Sequence, residues 1–312
     1  MLAERLAVNI VKIQKKATLF ISINCIENRC SRAIVARFSL GGLSTAVFVI
    51  GNLLVGSAKA DEKPLWELGA GVSALRLPVY RGSDEFRNLG LPLPYFVYRG
   101  ERLKLDREGG RGLLFKTDSL ELDVSVSGSI PVSSTNNSAR AGMPGLKATL
   151  EVGPLLIASL WRSDDKNSAI TARIPFRGVM RSDFNGAGFV FQPQLAYDVR
   201  NFAGTGWVAG VRGGPVFQSG SYADYFYGVP QAYSTASRPS YQGKSGYGGF
   251  NVLVGGSKRY GNTWVGAFAK YDNLSGATFE DSPLVRKKQF VTLGLAVSWI
   301  FSQSSAMVQA DD

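Results

Sequence analysis

The chain of 312 residues has no histidine, and its two cysteines, Cys25 and Cys30, both lie near its N-terminus. Without imidazole there is no Ser–His or Cys–His nucleophile pair and no histidine metal ligand. Beyond Cys30 there is no thiol, which excludes a disulfide framework or a thiolate metal site from the bulk of the chain. The adjacent acids Asp84-Glu85, Asp164-Asp165 and Glu280-Asp281 sit among turn-forming residues, where carboxylates are solvated rather than poised for acid–base work. Gly69-Ala70-Gly71 and Gly213-Gly214 lack the strand–loop–helix setting of a phosphate cradle. After Pro64 no stretch has the spacing of a long amphipathic helix. No catalytic residue, metal ligand or cofactor is therefore expected, and the chain does not read as an enzyme.

Charge excludes a further class. The formal net charge is +11, but Arg5, Lys12, Lys15, Lys16, Arg29, Arg32, Arg37 and Lys59 face only Glu4 and Glu27 within residues 1–60. The excess of +6 there leaves +5 for the remainder, where the one basic run is Arg286-Lys287-Lys288. That is an ordinary solvated surface, and no nucleic-acid partner is expected.

Between Arg37 and Lys59 runs an apolar stretch that ends in Ala58-Lys59-Ala60. A basic flank, an apolar core and small residues at Ala58 and Ala60 are the parts of a cleavable signal peptide. A permanent membrane anchor is the alternative, opposed by the glycine and serine interruptions. Residues 1–60 are thus assigned to targeting, 61–301 to the folded domain and 302–312 to a disordered tail.

What the chain does have is glycine (36 residues), aromatics (11%) and, beyond residue 60, alternation. In the last strand, Val291, Leu293, Leu295, Val297, Trp299 and Phe301 make one apolar face, and Thr292, Gly294, Ala296 and Ser298 the other. Similar runs start at Trp66, Leu120, Ile170 and Phe189, and further strands are expected over 91–99, 101–107, 111–117, 146–153, 155–162, 205–217, 221–228, 246–259 and 262–273. Alternation alone fits a soluble sandwich with its apolar faces inward as well as a membrane barrel with them outward. Strands of about ten residues, a leader, the lack of cysteine and an aromatic-ended last strand favour an all-β transmembrane antiparallel barrel of about 12 strands, within roughly 10–14. Arg173, Arg177, Asp198 and Arg200 would then line the lumen. Short turns near 200–204 and 260–262 would form one rim, and the long segments 133–145 and 222–246 the other. Tyr222, Tyr225, Tyr227, Tyr233 and Tyr241 in the second of these read as girdle or loop packing rather than as a ligand site.

Three pieces carry a resemblance: Tyr80-Arg81-Gly82-Ser83-Asp84; Pro92 and Pro94 with Tyr95, followed by Tyr98-Arg99-Gly100; and Tyr225-Phe226-Tyr227-Gly228. With the terminal strand and its Trp299 and Phe301, the chain resembles the MltA-interacting protein (MipA)/OmpV family of Gram-negative outer-membrane proteins. The resemblance implies a lipid-embedded barrel in the outer membrane, with no established catalytic residues. It also implies a scaffold that brings a lytic transglycosylase together with a peptidoglycan synthase. A small-solute channel and a surface adhesin working through the tyrosine-rich loop are the alternatives. From the residues themselves, Pro78 and the Tyr80–Asp84 piece are expected to form a turn. Pro92 and Pro94, two apart, suit an edge, a bulge or a strand entry rather than a central ladder, because both withhold ladder donors on one side.

Overall fold

A computed structural model describes residues 62–309, apart from 101, 102, 107, 108, 135 and 136 and the side chains of 103–106 and 109–111. The expected leader, with Ala58 and Ala60, lies outside the described residues. Two short strands, β1 (Glu62–Pro64) and β15 (Met307–Gln309), pair antiparallel. Between them run β2 (Trp66–Pro78), β3 (Phe86–Arg99), β4 (Leu103–Asp106), β5 (Gly109–Lys116), β6 (Leu120–Ser129) and β7 (Thr149–Arg162). Then come β8 (Ser168–Arg181), β9 (Gly186–Phe191), β10 (Gln194–Phe202), β11 (Trp207–Gln218), β12 (Gly246–Tyr260), β13 (Thr263–Asn273) and β14 (Gln289–Gln303). A helix, α1 (Gly220–Tyr227), follows β11.

From β2 to β9 each strand pairs antiparallel with the next, as does each from β10 to β14. β14 pairs back with β2, Leu293 opposite Arg76 and Trp299 opposite Ala70. β9 and β10, separated only by Gln192 and Pro193, share β8: β9 takes its C-terminal half and β10 its N-terminal half. With those two counted as one bent strand, the sheet is an antiparallel meander of 12 strands, consistent with a β-barrel.

The orientation of the faces separates this sheet from a soluble sandwich. On β14 the six apolar residues from Val291 to Phe301 are 41–63% exposed, while Gly294 and Ser298 between them are buried. On β2, Leu68, Ala70, Val72 and Ala74 are exposed and Glu67 is 1% exposed. Asp123, Glu151, Asn251 and Asp272 are likewise buried on the inner side of their strands. The largest buried apolar cluster lies elsewhere, among the connections at one end of the sheet.

Four expectations need adjustment. Residues 221–228 are not a strand. Ser219 caps α1 by accepting from the Tyr222 N–H at 3.2 Å, and buried Ala223, Phe226 and Tyr227 recur at helical spacing. The two strands expected over 146–153 and 155–162 are one, because Pro154 sits on the outer face of β7 and keeps its place opposite Val124. The tail expected to be disordered is ordered through Gln309, because β1 gives β15 a partner and the Leu65 N–H donates to the Ala306 carbonyl at 2.9 Å. The last strand also runs on past Phe301, to Gln303. The proline pair, in contrast, behaves as expected: β3 pairs with β2 from Phe86 to Tyr98 but with β4 only at Tyr98 and Arg99. Among the described residues, Pro92 and Pro94 therefore lie where one side of the strand has no ladder to break.

Candidate functional site

Because the strands alternate in direction, the connections after β2, β6, β11 and β13 share one end of the sheet. They comprise residues 79–85, 130–148, 219–245 and 274–288, and they pack on one another to form a cap. The Tyr227 and Phe279 rings stack 3.8 Å apart and 6° from parallel. The Tyr80 hydroxyl donates to the Leu284 carbonyl at 2.7 Å, and Ser282 Oγ donates to the Tyr227 carbonyl at 2.7 Å. Buried Arg140 donates to the Phe226 carbonyl at 3.1 Å, and Arg238 ties the Ala139 and Ala141 carbonyls to the Tyr233 carbonyl. Burial pushes the Tyr227 hydroxyl up to about 12, raises those of Tyr80 and Tyr222, and lowers the Arg140 guanidinium. These tyrosines act as packing and hydrogen-bonding groups, uncharged at any physiological pH.

Beneath the cap the interior is charged and internally paired. Arg81 reaches from the β2–β3 turn to Asp272 on β13 at 3.1 Å and to the Gly248 carbonyl at 3.3 Å. Lys270 holds the other oxygen of Asp272 at 3.2 Å. Arg177 lies 3.9 Å from Glu151 and donates to Ser125 Oγ at 2.7 Å. Towards the opposite, short-turn end, a second cluster centres on Glu67. Arg259 donates to its Oε1, while Tyr95 donates to Oε2 at 3.1 Å and Arg99 lies 3.6 Å from that oxygen. Arg99 also donates to the Pro64 carbonyl at 2.8 Å, tying this cluster to β1. Among the described residues no group of three or more Cys, Asp or Glu side chains is placed to hold a metal ion.

A family profile described as MltA-interacting protein MipA matches residues 70–301, most of the chain. The chain belongs to the MipA family. A comparison with curated proteins finds no match.

The pieces that carry the likeness to MipA proteins divide between the two ends of the sheet. Tyr80, Arg81, Gly82 and Ser83 build the cap: Gly82 adopts φ +95°, and buried Ser83 accepts from Asn137 Nδ2 at 3.2 Å. Asp84 is exposed. Tyr225 donates to the Lys147 carbonyl at 2.9 Å. Gly228 closes α1 through its N–H to the Asp224 carbonyl, and a Cβ there would stand 2.5 Å from that oxygen. At the other end Tyr95 and Arg99 converge on Glu67, and the Tyr98 ring folds over Gly100. Pro92, Pro94, Trp299 and Phe301 all face outward, away from both clusters. Sequence reasoning did not single out Glu67, Arg259, Lys270 or Asp272. The available signal was a charged residue on the inward parity of an otherwise apolar or glycine-rich strand.

Proposed function

We propose that the MipA-type meander closes into a twelve-stranded transmembrane barrel of the Gram-negative outer membrane. There it would serve without catalysis, as a scaffold for murein enzymes. The observation that carries this reading is the inversion of the strands, with apolar side chains turned out and paired charges turned in. Lipid solvates the first arrangement, whereas water would make it an aggregation surface. By the asymmetry of such barrels, the short turns and both described ends face the periplasm and the cap faces outward. The periplasmic rim is then the face a lytic transglycosylase or peptidoglycan synthase can reach, in keeping with the interaction named in the family's description.

Fractionation with boiled and unboiled gels tests the barrel: the expected result is outer-membrane location with a mobility shift on boiling. A soluble periplasmic protein that shows no shift defeats it. Capture of a lytic transglycosylase by the folded, immobilised protein tests the scaffold, and failure to capture it specifically would leave a barrel of another use.

That other use is a small-solute channel, favoured by Arg173, Asp198 and Arg200 on the inward parity of β8 and β10. The cap opposes it by covering one mouth, so the expected result in planar bilayers is little or no conductance. The adhesive alternative loses its motivating surface, since Tyr222, Tyr225, Tyr227 and Tyr241 are turned into packing and internal hydrogen bonds.

A further inference from the structure

One cluster of cations stands apart from the paired interior. At the cap-side end of the outward face of β2, Arg76 is exposed, and its guanidinium lies 5.4 Å from the Phe86 ring centroid. The Lys287 ammonium lies 5.2 Å from the same centroid. The neighbouring Lys288, by contrast, pairs with Glu280 at 3.2 Å. Among the described residues no carboxylate forms an ion pair with Arg76 or Lys287. The hydrogen bond of the Arg76 side chain goes to neutral Asn88, at 3.4 Å.

The cluster is built rather than incidental. The carbonyl of Gly82, in the left-handed turn of the Tyr80–Asp84 piece, accepts from the backbone N–H groups of Arg286 at 2.8 Å and Lys287 at 3.0 Å. That clamp fixes the 286–288 run beside β2. Arg76 stands opposite Leu293 in the ladder, directly above the exposed Val72, Ala74 and Leu295. Two like charges gathered on one ring, at the upper edge of an apolar band, form a site for an anion carried at the head of an apolar molecule.

We propose that Arg76 and Lys287, held about Phe86, bind the phosphate groups of an outer-leaflet lipid headgroup while its acyl chains lie along the outward faces of β2 and β14. This rests on the membrane reading above, with the cap end directed outward. Lysine and arginine at a lipid surface each strengthen binding by about fivefold, so losing both should weaken it by roughly twenty- to thirtyfold.

The test uses the full chain folded in detergent micelles, first verified by its mobility shift on boiling. Phosphorylated lipid A is then titrated against the wild type, the double variant Arg76→Gln/Lys287→Gln, and Lys258→Gln. Lys258 lies 4.7 Å from the Tyr260 ring at the opposite rim and serves as the control. Expected are a loss of that size in the double variant, wild-type binding by Lys258→Gln, and weak binding of dephosphorylated lipid A. Inorganic phosphate at equal concentration should not compete. Undiminished binding by the double variant, an equal loss in Lys258→Gln, or competition by inorganic phosphate overturns the proposal. Absence of the mobility shift before any lipid is added marks failure of the barrel reading instead, and the lipid site falls with it.

Discussion

At the scale of single residues, the interior is held by carboxylates whose partners come from distant parts of the chain. Glu67 accepts from Arg259, 192 residues away, and from Tyr95, and it also faces Arg99. Removing the acid leaves two guanidinium groups facing each other with reduced access to water. Glu67→Ala is therefore expected to destabilise the fold by about 3 kcal/mol, read as a lower denaturant midpoint in micelles. A change of less than about 1 kcal/mol would mean that the cluster is solvated and contributes little. Glu85 makes a different prediction. Its carboxylate accepts from the Ser138 hydroxyl and N–H and from Asn137 Nδ2, and these bonds hold its pKa below the usual 4.5. The stabilisation they supply is complete above pH 4.5 and is lost as the pH falls through the depressed folded value. Protease access to residues 130–148 should accordingly rise below pH 4.5 in the wild type, and a Glu85→Gln variant should lack that acid-dependent step. None of these pairings was legible in the sequence, because alternation marks an inward position without saying what lies across the interior from it.

At the scale of elements, the strands were legible and the cap was only half so. Alternating runs locate the strands because side-chain period and burial agree along each of them. The 222–246 segment was readable as a long connection rich in tyrosine. Its helix was missed because Tyr-Ala-Asp-Tyr-Phe-Tyr has the aromatic content of a strand, and the decisive signal was Ser219 in the capping position. The packing of the cap suggests that it can loosen separately from the sheet, since its apolar cluster is confined almost entirely to the connections. Tyr227→Ala removes the stack on Phe279 and should cost the cap about 3–5 kcal/mol. Limited proteolysis in the 219–245 and 274–288 connections should then accelerate while the mobility shift on boiling persists. Loss of that shift would show instead that the cap and the strands fold as one unit.

At the scale of the whole molecule, the sequence left open which way the apolar faces point, and exposure along β2 and β14 answers it. Strand alternation has the same period in either case, so strand length, the expected leader, the lack of cysteine, the aromatic-ended last strand and the family resemblance had to favour the outward arrangement beforehand. A charge on that face separates the environments sharply. Leu295, 63% exposed, should tolerate arginine at little cost in a water-facing sheet. In a bilayer, Leu295→Arg is expected to cost about 2–4 kcal/mol, measured by folding into phospholipid vesicles. Near-neutral behaviour there would remove the lipid from around β14.

The ladder between β2 and β14 also sets a timetable. Among the described residues β2 is the first long strand to be synthesised and β14 the last, yet they are neighbours through Arg76–Leu293 and Trp299–Ala70. Until residues 289–303 have been made, one edge of β2 has no partner in the chain, and its hydrogen-bonding groups are open to any strand that arrives first. A ribosome-stalled or C-terminally truncated chain ending before Gln289 would carry that open edge permanently. In a chain that does contain β14, a chaperone is needed to shield that edge until the fifteen residues of β14 pair with it.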